Sequence, residues 1–73
     1  MLNKKQTELI LKEAFKDCYD FWKSEGKETS HALAIALDEI REVDVNPFNP
    51  NGKKLNLAAK AEFIKQMELD LGI

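Results

Sequence analysis

Cys18 and His31 are the side chains in this sequence best suited to nucleophilic or acid-base catalysis, and each residue type occurs once. A cysteine nucleophile needs a histidine within hydrogen-bond reach and a third group that orients the imidazole ring. Cys18, however, lies mid-stripe between Ala14 and Trp22 on an apolar helical face, whereas His31 occupies a polar position. The pattern therefore predicts a packed, inert thiol and a solvated histidine, with no catalytic residue.

Carboxylates are frequent, and several lie close together in the sequence. Asp17 and Asp20 form one group, and Asp38, Glu39 and Glu42 form another. Acid-base catalysis by paired carboxylates requires an enclosed, apolar setting that raises one pKa. These residues fall on the polar faces of amphipathic segments, so we expect them to be solvated.

The sequence gives little support for a metal site or a phosphate-binding site. The sequence contains no glycine-rich phosphate loop of either common type. If Gly52 is aligned with the sixth position of a calcium loop, Asn49 and Asn51 fit, but Pro47 and Ala58 replace both required carboxylates. We therefore predict no metal and no cofactor, and an enzyme or metal protein that relies on His31 remains a remote alternative.

Composition favours one folded domain. The 73 residues are 44% hydrophobic and 33% charged, with a formal net charge of −2. Such a chain can form a core, and a single cysteine permits no internal disulfide. The sequence has no apolar run typical of a signal peptide or a membrane span, so the predicted location is cytoplasmic.

Helical periodicity divides residues 1–73 into three segments of one all-α domain, a small three-helix bundle. The predicted helices span residues 4–25, 30–44 and 56–71, with a Pro/Asn-rich loop between the second and third. The predicted N-terminal caps are Asn3 with Gln6 (or alternatively Thr7) for the first helix, Thr29 or Ser30 for the second, and Asn56 for the third. The predicted C-terminal glycines are Gly26 for the first helix and Gly72 for the third, where Ile73 covers the last turn. The predicted buried stripes are Leu11, Ala14, Phe15, Cys18 and Trp22; Leu33, Ala36, Leu37, Ile40 and Val43; and Leu57, Ala61, Ile64, Met67 and Leu71, with Phe63 at the margin.

The loop "NPFNPNGKK" holds two Asn-Pro pairs around one phenylalanine. Pro47 ends the second helix, and residues 49–52 have the proline, asparagine and glycine of a tight turn. The tripeptide that ends at Phe48 resembles the short motif recognised by EH domains of eukaryotic trafficking proteins. We expect Phe48 to pack into the bundle, and the alternative is that it faces a partner.

Some apolar residues remain outside the three stripes. Ile10, Tyr19 and Phe21 are candidates for a protein-interaction face, and Phe48 joins them in the alternative in which it faces a partner, because exposed aromatic residues act as anchors at interfaces. The partner would be another protein or a second copy of the chain. An alternative use of Tyr19 and Phe21 is to close one end of the bundle.

The lysines near the third helix allow a second interpretation. Lys53, Lys54, Asn56 and Lys60 are the residues that a helix-turn-helix-like nucleic-acid-binding protein would use. The negative net charge and the long preceding loop make this partner unlikely. We expect instead that Lys53, Lys54 and Lys60 neutralise the acidic C-terminal end of the second helix.

Overall fold

Three helices form the domain in a computed structural model that describes residues 1–49 and 51–72. They are α1 (Lys4–Ser24), α2 (Thr29–Arg41) and α3 (Leu57–Leu71). The described residues contain no strand and form a small all-α fold that agrees with the predicted three-helix bundle. An isolated antiparallel bridge joins Val45 and Lys54.

The ends of α1 follow the predicted local chemistry. The Gln6 backbone N–H donates to Oδ1 of Asn3 at 2.8 Å, and the Asn3 backbone N–H donates to Oε1 of Gln6 at 3.2 Å. This reciprocal capping box satisfies two amide hydrogens that the helix leaves free. Beyond the other end, Gly26 adopts a left-handed φ of 91°, as expected for a helix-terminating glycine.

α2 differs from its prediction at both ends. Thr29 is already helical, and Glu28 precedes it without a side-chain capping bond, so the predicted cap by Thr29 or Ser30 is wrong. Oγ1 of Thr29 instead accepts a hydrogen bond from Nζ of Lys23 at 3.2 Å. α2 also ends earlier than residue 44, because the backbone beyond it pairs with the chain that returns towards α3.

Backbone hydrogen bonds hold this returning chain. The Leu55 N–H donates to the Asp44 carbonyl at 2.9 Å, and the Asn46 N–H donates to the Lys53 carbonyl at 3.2 Å. The connection is therefore a closed hairpin-like loop. It places Leu55, which is fully buried, in the core beside α1 and α2.

α3 has the predicted caps, and its buried face agrees with the predicted stripe only in part. Oδ1 of Asn56 accepts from the Ala59 N–H at 3.1 Å, and Gly72 is left-handed with a φ of 73°. Ile64 and Met67 pack against the core as predicted, but Leu57 and Ala61 are exposed, whereas Ala59 and Lys60 are buried. Ile73 lies outside the described residues.

A buried threonine anchors the start of α3. Oγ1 of Thr7, which is fully buried, accepts the Asn56 backbone N–H at 3.0 Å. This bond and the buried Leu55 tie the residues that precede α3 to the core. The core comprises Leu11, Ala14, Leu37, Ile40 and Leu55.

Candidate protein-interaction grooves

Two apolar grooves flank the buried stripe of α1 on opposite sides. We call the first the acidic-rimmed groove; its cavity volume is about 380 Å³. It is lined by Ala14, Asp17, Cys18, Phe21, Glu39, Val43, Pro47 and Phe48. We call the second the lysine-rimmed groove; its cavity volume is about 550 Å³. It is lined by Lys12, Phe15, Lys16, Tyr19, Leu33, Phe63, Gln66, Met67 and Asp70.

The residues predicted for one interaction face are divided between these surfaces. Phe21 and Phe48 line the same acidic-rimmed groove, although they lie on α1 and on the loop. Tyr19 lines the lysine-rimmed groove, and Ile10 is half-buried against the core. The fold therefore brings together two of the four residues and separates the other two.

The loop presents Phe48 rather than burying it. The side chain is 54% exposed, so the expected packing into the bundle is not observed. Oδ1 of Asn46 accepts the Phe48 backbone N–H at 2.9 Å, which closes a turn around Pro47. Such asparagine turns satisfy the local backbone without tertiary contacts, and the phenyl ring is left at the groove edge.

A second turn fixes the base of this loop. The Gly52 N–H donates to the Asn49 carbonyl at 2.8 Å, and the Asn51 N–H donates to Oδ1 of Asn49 at 3.0 Å. A Cβ atom on Gly52 would lie 2.8 Å from Cβ of Asn46. Only glycine allows this approach, so the turn that positions Phe48 depends on residue 52.

Phe21 is held by its aromatic neighbour. Its ring meets Trp22 edge to face, with ring centroids 5.0 Å apart and an interplanar angle of 88°. The ammonium of Lys27 lies 5.7 Å from the centroid of the Trp22 ring. Phe21 is nevertheless 54% exposed, so this cluster leaves an aromatic surface on the groove.

Cys18 and His31 do not form a catalytic arrangement in the described residues. Cys18 is half-buried on the acidic-rimmed groove, while His31 is exposed in the first turn of α2. Burial, and to a smaller extent the charge of Glu39, raises the pKa of the Cys18 thiol. This direction disfavours the thiolate that a nucleophile requires. Within residues 1–49 and 51–72, no three His, Cys, Asp or Glu residues are grouped to hold a metal ion.

The residues of the nucleic-acid interpretation are not presented together. Lys53 and Lys54 are exposed on the loop, but Asn56 caps α3. Lys60 is buried, and its ammonium donates to the carbonyls of Arg41 at 2.7 Å and Val43 at 2.8 Å. Two of the four residues therefore serve the fold.

The acidic end of α2 is neutralised only partly in the predicted way. Nζ of Lys60 lies 3.0 Å from Oδ1 of Asp44, as expected for opposed charges. Lys53 and Lys54, in contrast, form no ion pair with any residue that the structure describes. The local sequence around Lys60 predicts an exposed lysine, because nothing in its pattern indicates a buried ammonium.

Arg41 makes a further connection that the sequence did not indicate. Its guanidinium donates to Oδ1 of Asp38 and to Oε2 of Glu68, each at 2.7 Å. The second bond links α2 to α3 across a wide sequence separation. The arginine is therefore part of the helix packing, and its i, i+3 spacing from Asp38 was the only sequence signal available.

Fold and grooves define a small all-α domain of three helices with two apolar surface grooves. None of the helices in the described part of the chain is long and apolar enough to cross a bilayer. No protein-family model, curated protein or solved structure matches the chain. A functional proposal therefore rests on the chemistry of these surfaces.

Proposed function

We propose that this chain is a non-catalytic helical domain of the cytoplasm that acts by binding another protein through the acidic-rimmed groove. The main support is the meeting of Phe21 and Phe48 at one groove, each with 54% of its surface exposed. Two aromatic side chains from separate elements are costly to leave in water and are typical anchors of protein interfaces. A second copy of the chain is the other occupant that this proposal allows.

The groove also restricts the chemistry of the partner. Asp17 and Glu39 stand at its rim, and Val43 and Pro47 add apolar surface to that of the two phenylalanines. A matching segment would place an apolar side chain in the groove and a lysine or arginine beside it. Charges of this kind select partners and accelerate association more than they raise affinity.

Affinity recovery from the lysate of the native host tests the proposal with matched variants. Phe48→Ala removes one anchor, and Leu69→Ala removes an apolar side chain that is 68% exposed and does not line either groove. Both replacements are expected to change the free energy of unfolding by less than about 1 kcal/mol. We expect the same protein to be recovered by the wild type and by Leu69→Ala, and to be lost with Phe48→Ala.

Cys18 gives an independent measure of whether a partner occupies the groove, because this residue lines the same groove. Addition of the recovered partner should slow the reaction of Cys18 with a disulfide reagent. Equal recovery by all three proteins, with unchanged thiol reactivity, would contradict the proposal. Light scattering over a wide concentration range identifies the case in which the partner is a second copy.

A further inference from the structure

The lysine-rimmed groove has an apolar floor built by all three helices. Phe15 and Tyr19 from α1, Leu33 from α2, and Phe63 and Met67 from α3 contribute to it. α1 packs more extensively on α2 than on α3. All five floor residues are only partly buried, so the floor is accessible to an apolar ligand from outside.

The groove continues along α1 into a smaller hollow. That hollow has a volume of about 330 Å³ and is lined by Lys5, Glu8, Leu9, Lys12 and Phe63. Lys12 and Phe63 line both spaces, so the two adjoin along α1. From Lys5 to Tyr19 the rise of α1 gives a length of about 21 Å, which matches a partner helix of roughly four turns.

The two rims carry different charges. On the α1 rim, Lys5, Lys12 and Lys16 recur at i, i+7 and i+11, and none forms an ion pair with another described residue. On the α3 rim, Oδ1 of Asp70 accepts from Nε2 of Gln66 at 2.9 Å.

Near the smaller hollow, Glu62 pairs with Lys4 at 3.5 Å, and Glu8 lies beside this pair. The carboxylates near the groove are thus concentrated on the α3 side and at that end. The unpaired positive charge lies along α1, next to the apolar floor, at Lys12 and Lys16.

We propose that this groove binds an amphipathic helix of a partner protein that carries acidic residues along one flank. Its apolar residues, at i, i+3 or i+4, and i+7, would cover the floor between Phe15 and Met67. Its carboxylates, one turn apart, would face Lys12 and Lys16. This site is separate from the acidic-rimmed groove and does not depend on the function proposed for it.

The shape of the site favours a protein helix over other anionic ligands. A concave groove with an apolar floor buries a cylinder well, whereas a flat bilayer would contact only its rims. Asp70 and Glu62 on the α3 side would repel the phosphates of lipids or nucleic acids. Lysines on one rim alone are sufficient to orient a helix with one acidic flank.

A displayed library of helical peptides tests this inference without a known partner. The apolar positions of the peptide helix are held constant, and the positions on its two flanks are randomised among acidic, basic and neutral residues. We expect selection on the intact domain to enrich peptides with Asp or Glu on one flank. Enrichment of neutral or basic flanks, or no enrichment, would overturn the proposal.

Charge reversal then locates the site. Binding of an enriched peptide, measured by fluorescence anisotropy, should weaken by about tenfold or more in the double variant Lys12→Glu and Lys16→Glu. The matched double variant Lys53→Glu and Lys65→Glu has the same net charge but changes lysines outside the groove, and it should bind like the wild type. Equal weakening in both variants would show a nonspecific charge effect and would refute the site.

Further outcomes separate this site from the alternatives. Peptide binding should survive Phe48→Ala, because Phe48 lines only the other groove. Binding to anionic vesicles that is lost in the Lys12/Lys16 variant, without peptide enrichment, would assign the surface to a membrane and overturn the proposal. A molecular mass that rises with protein concentration in the wild type but not in the Lys12/Lys16 variant would assign the surface to a second copy of the chain and would also overturn the proposal.

Discussion

Replacement of Lys60 by methionine removes a buried ammonium while keeping most of its apolar stem. In the native fold this ammonium donates to two carbonyls at the C-terminal end of α2, that of Arg41, the last helical residue, at 2.7 Å and that of Val43, just beyond it, at 2.8 Å. It also lies 3.0 Å from Oδ1 of Asp44. Lys60→Met should therefore release the C-terminal end of α2 and destabilise the whole domain.

The magnitude follows from these contacts. Hydrogen bonds to a charged group are worth about 1.5–3 kcal/mol each, and the helix C-terminal dipole adds up to about 1 kcal/mol. The side chain of Asp44 is 66% exposed, so its ion pair contributes less than about 1 kcal/mol because water screens it. The cost of removing the ammonium from water offsets part of the sum, which leaves a net loss of about 3 kcal/mol.

Urea unfolding monitored by circular dichroism measures this loss, and a thermal scan should show a lower Tm by roughly 12–24 °C. Lys65→Met is the matched control, because Lys65 is an exposed lysine of the same helix, and it should cost less than about 0.5 kcal/mol. Asp44→Asn removes only the partner carboxylate and should cost less than about 1 kcal/mol.

Two results would refute the reasoning. Similar unfolding free energies for Lys60→Met and Lys65→Met would show that the buried ammonium does not hold the end of α2. A cost for Asp44→Asn equal to that of Lys60→Met would show that the ion pair, and not the carbonyl bonds, supplies the stability.

Two further predictions concern the loop and the thiol. Gly52→Ala should lower the free energy of unfolding by about 1–3 kcal/mol, because the added Cβ would lie 2.8 Å from Cβ of Asn46 and from two backbone oxygens. Urea unfolding of the variant and the wild type measures this loss of unfolding free energy. The reaction of Cys18 with a disulfide reagent should have a higher pH midpoint in the native chain than in the urea-unfolded chain, because burial raises the pKa of the thiol. Since the native state holds this proton longer, stability should fall as pH rises from the unfolded towards the folded pKa.

Each of these predictions has its own control. Asn51→Ala alters an exposed position of the same turn without placing a Cβ in a crowded space, and a cost as large as that of Gly52→Ala would contradict the steric explanation. For Cys18, restricted access lowers the rate at every pH without moving the midpoint. Equal midpoints in the native and unfolded chains would therefore contradict the raised pKa.

The helices could be predicted because their signals are local. The Asn3–Gln6 capping box, the left-handed Gly26 and the Asn56 cap depend on residues within one or two turns, and each is present in the structure. The hydrophobic period of α1 and α2 likewise predicted most of the core. Local hydrogen bonds and periodicity are properties of the chain itself, so the sequence contains them.

The candidate interaction residues were recognised individually, but their arrangement was not. Phe21 and Phe48 were each unassigned to a stripe, which is a sequence property. Their meeting at one groove depends on the path of the loop, and that path depends on backbone bonds between residues 44–46 and 53–55. Such pairings form across the chain, so periodicity does not report them.

What the sequence by itself determined is the number and approximate extent of the helices and the caps of α1 and α3, because each follows from neighbouring residues. Tertiary structure alone decided that α3 turns Lys60 inward, that Leu55 enters the core and that Phe48 faces outward. Thr7 anchors the start of α3 through one bond to Asn56, and the end of α2 supplies carbonyls for a buried ammonium. These outcomes depend on groups far apart in the chain, whose mutual positions exist only once the helices have packed.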